Sequence, residues 1–121
     1  MTCRGIRGAI TVDANTEDGI LAATTDLLRA IMAKNAIVES DIVSIFFSVT
    51  PDLNATFPAK AARQLNLVHT PMICFHEMDV PHGLRRCIRI LMHINSDQPI
   101  TGIHHVYLKE AASLRPDIRP S

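Results

Sequence analysis

The stretch GLRRCIRILMHI, residues 83–94, places one charged side chain in the middle of an otherwise apolar segment. Its branched aliphatic residues predict a strand from Leu84 to Ile94. Because side chains alternate along a strand, one face is formed by Leu84, Arg86, Ile88, Ile90, Met92 and Ile94. Arg89 then lies on the opposite face, between Cys87 and Leu91. A guanidinium stays charged at any physiological pH, so Arg89 must either reach water or meet an anion.

The segments around this strand predict an α+β fold. The other predicted strands are residues 3–12, 42–49, 71–78 and 103–108, of which 42–49 (IVSIFFSV) is apolar enough to be fully buried. The predicted helices are one that Thr16 caps and that ends near Lys34–Asn35, one over 59–67, and a single turn at 109–113. The order β-α-β-α-β-β-β predicts one mixed β-sheet with helices packed on one side, in a single domain spanning residues 1–121.

Composition favours an assembly of small subunits without nucleic-acid or membrane partners. Hydrophobic residues make up 47% of the 121 residues, charged residues only 20%, and the mean hydropathy is +0.15. This apolar excess favours surface covered by another subunit, with a monomer holding a generous core as the alternative. The net charge is zero, without runs of like charge or a segment of transmembrane length. Three cysteines without CxxC spacing predict free thiols and a cytoplasmic location.

Three strands offer hydrogen-bond donors on the face opposite their hydrophobic sets. Arg7 is flanked on its own face by Gly5 and Ala9, which leave a hollow beside the guanidinium. Arg89 and Tyr107 are the corresponding donors of the two later strands. With Glu77 near the end of the third strand, they could form a pocket whose two guanidinium forks suit a dianion. Alternatively, Arg7 pairs with Glu77 in a structural salt bridge, or each arginine faces solvent.

Other kinds of site find little support in the sequence. The six histidines show no metal-ligand spacing, and His104 and His105 point to opposite faces of a strand. Cys74 and Cys87 are expected to be buried, inert thiols. RGIRGA has two glycines but lies within a strand, so it is a weak candidate for a phosphate loop. An enzyme with this inventory must run a reaction that needs no metal, cofactor or nucleophile.

Five motifs in register resemble the monofunctional chorismate mutases of the trimeric, pseudo-barrel class. They are RGIRGAITV (4–12), SVTPDLNATFPAKAAR (48–63), CFHEMDV (74–80), LRRCIRI (84–90) and HVYLKEAASLRPD (105–117). The resemblance runs almost from end to end. It implies a homotrimer with active sites at the subunit interfaces, which convert chorismate to prephenate, a step toward phenylalanine and tyrosine. It also implies that no cofactor or metal takes part.

The resemblance also implies a role for each polar residue singled out above. Arg89 would donate to the ether oxygen and to a carboxylate of chorismate, while Arg7 and Tyr107 would grip the side-chain carboxylate. Glu77 would accept from the ring hydroxyl and face the ring's growing positive charge. Further implied pocket residues are Phe57, Ala59, Lys60, Arg63, Ile73, Cys74, Phe75 and His76, with Leu114 and Arg115 near the mouth and Cys87 behind Glu77.

The alternation of side chains along the third strand, and a few differences from the family pattern, bear on this assignment. Cys74 and Glu77 cannot share a face of a regular strand, so the strand must end or bulge near Phe75–His76. Ile73 replaces a small polar residue of the family pattern, Pro81-His82-Gly83 replaces a glycine pair, and the stretch between residues 65 and 71 is one residue shorter. The alternatives are a non-catalytic trimer that binds a small carboxylate and an imine or enamine hydrolase, for which the sequence offers no base.

Overall fold

The computed structural model describes residues 1–116, which form one mixed five-stranded sheet with both α-helices packed on one face. The strands are β1 (Thr2–Thr11), β2 (Ile42–Val49), β3 (Met72–His76), β4 (Cys87–Ser96) and β5 (Val106–Leu108). The α-helices are α1 (Glu17–Lys34) and α2 (Ala59–Gln64). Short 3-10 helices span Glu39–Asp41, Ile100–Gly102 and Lys109–Leu114. The predicted α+β fold and element order are confirmed; Asp117, the last residue of the fifth motif, lies outside the described residues.

Strand β4 is the centre of the sheet, whose strand order is β3-β2-β4-β1-β5. It runs antiparallel to β1 on one side and to β2 on the other. The edge strands β3 and β5 run parallel to β2 and β1. In this register Arg89 pairs with Ala9 of β1 and Ser48 of β2, and Ala9 in turn pairs with Tyr107 of β5. The polar residues identified by strand parity therefore lie in neighbouring rows of one sheet face.

Helix α1 begins and ends where its capping residues predict. The Thr16 hydroxyl accepts a hydrogen bond from the Gly19 amide at 2.9 Å, and Asn35 closes the last turn by donating to the Ile31 carbonyl. The apolar stripe of α1 packs on the sheet face formed by alternate residues of β1 and β4. The fully buried residues at this contact include Ile20, Leu27, Leu28, Ile31, Ile6, Ile10, Ile88 and Met92. Arg7 and Arg89 lie on the opposite face of the sheet, outside this core.

The start of β4 differs from the prediction. The strand begins at Cys87 because Arg86 adopts a left-handed backbone conformation with φ 48°, which a regular strand cannot contain. The Asp52 carboxylate accepts from the Arg86 amide at 3.0 and 3.1 Å. Leu84 consequently packs beside Cys87 on the face opposite the main core, and Arg86 is exposed. The assignment of Leu84 and Arg86 to the apolar face was wrong.

Three other boundaries or burial predictions also differ. Helix α2 ends at Gln64, three residues early, because Asn66 has φ 67°. Strand β5 begins at Val106, since the His104 amide donates to the Asn35 side chain at 2.8 Å rather than to a strand. Strand β2 is not fully buried in a single chain, because Val43 and Phe46 are exposed, the latter on the open face of the sheet.

Gly8 marks the closest approach of α1 and β5 to β1. A Cβ at this position would lie 2.8 Å from Ile31 Cδ1 and 3.1 Å from the Val106 carbonyl oxygen. We expect Gly8→Ala to lower the free energy of unfolding by about 1–3 kcal/mol, because the backbone carbonyl cannot move aside cheaply. Gly5→Ala is the matched control on the same strand, since its Cβ would meet only Leu91 Cδ1 at 3.6 Å. Denaturant titration measures both, and equal stabilities of the two variants would contradict the packing argument.

His105 ties β5 to β1 in a way that depends on pH. Its Nδ1 accepts a hydrogen bond from the Arg7 amide at 3.0 Å, which requires an unprotonated nitrogen. Burial, and then the charges of Arg7, Arg115 and His104, lower the pKa of His105 below its ordinary value of 6.5. The unfolded chain therefore binds this proton first, so the stabilisation is fully present above pH 6.5 and is lost as the pH falls toward the folded-state pKa.

We therefore expect the free energy of unfolding to decrease as the pH is lowered from about 7.5 to about 5.5. The decrease should be steeper in the wild type than in His105→Gln. Glutamine can accept from the same amide but does not titrate. His82→Gln, at an exposed turn, is the control and should keep the wild-type slope. Denaturant titrations across this pH range measure the slopes. A His105→Gln slope equal to that of the wild type would remove His105 from the explanation.

Candidate active site

The donors predicted from strand parity surround one hollow on the open face of the sheet. Its volume is about 300 Å³, and its polar lining includes Arg7, Arg89 and Tyr107. Phe46 and Phe75 form part of the wall, with their rings edge to face at a centroid distance of 6.1 Å. The phenol of Tyr107 is largely buried, whereas Arg7 is exposed. The arrangement offers two guanidinium groups and a hydroxyl to one small anion.

Arg89 and Glu77 form the main ion pair beside this hollow. Arg89 Nε lies 2.9 Å from Glu77 Oε2, with the two side chains 43% and 26% exposed. The Nε–H bond is not directed at that oxygen, however, and this buried nitrogen has no hydrogen-bond acceptor in the described part of the chain. The contact is an ion pair that leaves one donor of Arg89 unused. Glu77 thus pairs with Arg89 rather than with Arg7.

Glu77 lies on the open face because it continues the alternation of Ile73 and Phe75 just beyond the end of β3. The strand ends at His76, and the Glu77 amide donates to the Val49 carbonyl at 2.7 Å. The strand thus ends near Phe75–His76, as expected, and is shorter than the predicted 71–78, but its end does not bring Cys74 to the face of Glu77. The carboxylate is held at both oxygens, because Oε2 accepts from the Ser48 hydroxyl at 2.9 Å and Oε1 accepts from the Met78 amide at 3.2 Å.

Sequence reasoning missed Ser48. It lies in the run IVSIFFSV, which reads as uniformly apolar and therefore as buried on both faces. The available signal was that Ser44 and Ser48 are four residues apart in this strand and so share one face. That pattern indicates a partly polar, uncovered face, which is where Phe46 also lies.

A second hollow, of about 520 Å³, borders the same ion pair on its other side. Its lining combines the loop after β3 with the ends of β2 and β4: Thr50, Pro51, Asp52, Glu77, Met78, Asp79, Val80, Pro81, Gly83, Leu84, Arg85, Cys87 and Arg89. Cys87 lies behind the pair, and burial raises the pKa of its thiol to about 11. The thiol is therefore neutral at physiological pH, and Cys87 supplies packing rather than charge next to Arg89.

Asp52 fixes the backbone from which Arg89 projects. Its carboxylate accepts from the Thr50 hydroxyl as well as from the Arg86 amide, and the Thr50 hydroxyl oxygen accepts from the Cys87 amide at 2.9 Å. Burial raises the pKa of Asp52, but the hydrogen bonds from Thr50 and Arg86 outweigh it and leave the pKa lowered. The left-handed residue before β4 is thus held by an ionised acceptor.

Several residues implied by the family resemblance lie away from the hollow of Arg7 and Arg89 within one chain. Phe57 and Arg63 are exposed near or on α2, which packs on the helix side of the sheet. Ala59 is buried in the main core. Lys60 pairs with Glu17 at 3.1 Å. A single chain therefore does not bring this group to the hollow.

The β3 residues that the family resemblance implies lie on two different faces of the sheet. Cys74 packs against the main core on the helix side, whereas Ile73 and Phe75 are exposed on the open face. Of these, Phe75 lines the hollow, and His76 is exposed at the end of the strand. In a single chain the Cys74 side chain therefore faces away from Arg7 and Arg89.

The C-terminal segment lies closer to the site. Leu114 packs against the small cluster of Ala9, Cys87, Tyr107 and Ala111 on the open face. The positive charge of Arg115 contributes to the lowered pKa of His105, whose Nδ1 accepts from the Arg7 amide. Leu114 thus lies near Tyr107, and Arg115 lies near enough to His105 to affect its pKa, but neither residue lines the hollow itself.

Metal sites and membrane-spanning helices are absent from residues 1–116. Within that range no three His, Cys, Asp or Glu side chains are grouped so that they could hold a metal ion. None of the helices described is both long and apolar enough to cross a membrane.

Comparisons with known proteins identify the family of the chain. The sequence profile described as chorismate mutase type I matches residues 3–118. Chorismate mutase AroH of Bacillus subtilis is 47% identical over 119 residues, which cover 98% of this chain and 94% of that protein. Chorismate mutase AroH of Thermus thermophilus is 44% identical over 116 residues, which cover 95% of each.

A solved structure of a chorismate mutase shares the fold of this chain. The chorismate mutase from Clostridium thermocellum matches with a TM-score of 0.90 and 48% sequence identity, covering 91% of this chain and 98% of that one. The profile match, the two relatives and the shared fold lead to one conclusion: the chain belongs to the chorismate mutase type I family.

Proposed function

We propose that this chain, a chorismate mutase, binds chorismate against the open face of its sheet and rearranges it between Arg7, Arg89, Glu77 and Tyr107. The enzyme is an isomerase of aromatic amino acid biosynthesis, and its product is prephenate. The observation that carries the site assignment is the unused Nε–H of Arg89. It is a buried donor, held 2.9 Å from a carboxylate to which it does not point.

The reaction makes two demands that suit such a site. It is an intramolecular rearrangement in which the ether C–O bond breaks while a C–C bond forms, without proton transfer or a covalent adduct. The protein must hold the flexible dianion in its compact, reactive conformer. It must also stabilise negative charge at the ether oxygen and positive charge on the ring, which preorganised dipoles and charges achieve.

Arg89 is the residue that stabilises negative charge at the ether oxygen. Leaving a buried donor unsatisfied costs about 1–3 kcal/mol, so an acceptor that arrives with the substrate gains this amount back. An oxygen that becomes more negative in the transition state strengthens the bond further, which is the differential binding that raises turnover. The remaining guanidinium donors of Arg89 are available to a carboxylate of the same substrate.

The other three residues complete the contacts. Arg7 and Tyr107 approach the hollow from β1 and β5 and grip the side-chain carboxylate. Glu77 stays next to Arg89, where its carboxylate accepts from the ring hydroxyl and stabilises the positive charge that develops on the ring. No side chain in this set needs to exchange a proton, which agrees with the reaction.

We further propose that the enzyme is a homotrimer whose sites are completed between subunits. The open face carries large exposed apolar side chains, Phe46, Ile73 and Phe75, of which Phe46 and Ile73 are paired across β2 and β3. Such a patch favours coverage by a second copy. Phe57, Lys60 and Arg63 lie on the other side of the sheet, so their side chains can reach a hollow only in a neighbouring subunit. We propose that the buried Ala59 and the partly buried Cys74 lie behind these contacts.

We place the enzyme in the cytoplasm, without nucleic-acid or membrane partners. Its cysteines are free, including the buried Cys87, and free thiols suit a reducing compartment. The net charge of zero offers no electrostatic attraction to a polyanion.

The activity and the role of Arg89 are tested together. The purified wild type should convert chorismate to prephenate without added metal or cofactor, followed by the decay of chorismate's ultraviolet absorbance. Arg89→Lys keeps the positive charge but loses the planar fork, so we expect kcat to fall by at least about 10²–10³-fold. Arg29→Lys, on the exposed side of α1, should leave kcat unchanged. If Arg89→Lys raises only KM, the ether-oxygen assignment is wrong, and a wild type without turnover would favour a carboxylate-binding protein.

Mixed assemblies test whether two chains share each site. Arg89→Ala and Arg63→Ala should each lose most activity on their own. When the two variants are unfolded together and refolded, about one quarter of the sites should combine an intact residue 89 from one chain with an intact residue 63 from its neighbour. Activity should then recover to about that fraction of the wild type, measured at equal protein concentration. Refolding each variant alone is the control, and a mixture no more active than its parents would show that each site belongs to a single chain.

A further inference from the structure

We propose that Ser48 is a positioning residue for the rearrangement, whose hydroxyl holds the Glu77 carboxylate so that the Nε–H of Arg89 remains available to substrate. The inference rests on the proposed roles of Glu77 and Arg89. It adds a third residue that neither strand parity nor the family resemblance singles out.

The register of the sheet places Ser48 between the two charged groups. On β2, Ser48 is paired with Arg89 of β4 on one side and with Phe75 of β3 on the other. Ser48 also lines the hollow that contains Arg7 and Tyr107. Its position is fixed by backbone pairing on both sides, so its hydroxyl has little freedom beyond rotation about χ1.

Two donors lie close to one oxygen of Glu77, which has lone pairs for both, so the orientation of the carboxylate decides whether the Arg89 Nε–H is accepted. Ser48 Oγ donates to Oε2 at 2.9 Å, and Arg89 Nε lies at the same distance from the same oxygen without directing its hydrogen there. The second oxygen, Oε1, accepts from the Met78 amide at 3.2 Å. The Glu77 amide is tied to the Val49 carbonyl at 2.7 Å. Ser48 is therefore the side chain that, together with the Met78 amide, holds the carboxylate in the orientation in which the Arg89 Nε–H does not point at it.

The energetic argument follows from the strengths of these bonds. A directed arginine–carboxylate hydrogen bond is roughly twice as strong as one between neutral groups. Without the serine hydroxyl, the Glu77 carboxylate can rotate to accept the Arg89 Nε–H, which closes the pair upon itself. A closed pair withdraws the donor meant for the ether oxygen and turns the carboxylate away from the ring. Both changes weaken contacts that stabilise the transition state, and they do not weaken the binding of substrate.

Direct contact between Ser48 and substrate is the competing explanation. A serine hydroxyl has one O–H, which Ser48 gives to Glu77, so only its lone pairs remain for a ligand. The carboxylates and the ether oxygen of chorismate are acceptors and gain nothing from those lone pairs, and its ring hydroxyl is the donor already assigned to Glu77. Ser48 therefore acts through Glu77.

The test is a mutant cycle on the intact assembled enzyme, with kcat and KM for chorismate measured by absorbance decay. We expect Ser48→Ala to lower kcat by about 10–100-fold, as a small misplacement of catalytic groups does, while KM changes by less than about threefold. Ser48→Thr keeps the hydroxyl on a residue that suits a strand and should restore kcat to within about threefold of the wild type. In a Glu77→Gln background, Ser48→Ala should have no further effect on kcat.

Ser44→Ala is the matched control, because Ser44 lies on the same face of β2 and its hydroxyl contacts His93 instead, at 3.3 Å. It should leave kcat unchanged. Denaturant unfolding of each variant separates a loss of fold from a loss of positioning, and Ser48→Thr keeps the test valid if Ser48→Ala is unstable.

Three results would overturn the proposal. One is an unchanged kcat in Ser48→Ala. The second is an equal fall in kcat in the wild-type and Glu77→Gln backgrounds, which would mean that Ser48 touches substrate or only supports the strand. The third is an unchanged kcat in Glu77→Gln. A wild-type protein that does not convert chorismate would instead refute the proposed function, so the two failures are distinguishable.

Discussion

The double pairing of β4, with β1 on one side and β2 on the other, is the constraint on which the rest of the structure depends. A slip of one residue in either ladder would turn Arg89 into the core and Ile88 or Ile90 onto the open face. Four fully or nearly fully buried residues of β4, Ile88, Ile90, Met92 and Ile94, therefore hold the register against the helices. Burial on the helix side thus determines where a charge lies on the other side.

The charged groups of the open face include an ion pair that lies next to a neutral thiol. Arg89 and Glu77 are close enough to attract each other, yet the arginine keeps a donor unused. The nearby thiol is neutral, because burial raises the pKa of Cys87 to about 11. A fixed set of charges and dipoles suits a reaction whose transition state differs from its substrate mainly in charge distribution.

Sequence patterns predicted most of the fold and part of the site, for physical reasons that can be named. Alternation along a strand is a local property, so the faces of Arg7, Arg89 and Tyr107 followed from residue parity alone. The start of β4 did not, because Arg86 is held left-handed by Asp52, a residue of a distant loop. Ser48 was hidden for a related reason: its partner Glu77 belongs to another strand's end, and no local pattern links the two.

The two residues proposed to grip the carboxylate come from opposite ends of the described chain. Tyr107 lies on the three-residue strand β5, which joins the sheet only by parallel pairing with β1, beside the bond between His105 and the Arg7 amide. Tyr107 is the single tyrosine of the sequence, so that strand supplies the phenol of the site. An incompletely synthesised chain could form most of the helix-side core and still lack this grip. The enzyme would thus bind its substrate only after the last strand has paired with the first. Activity would therefore appear only when folding is complete.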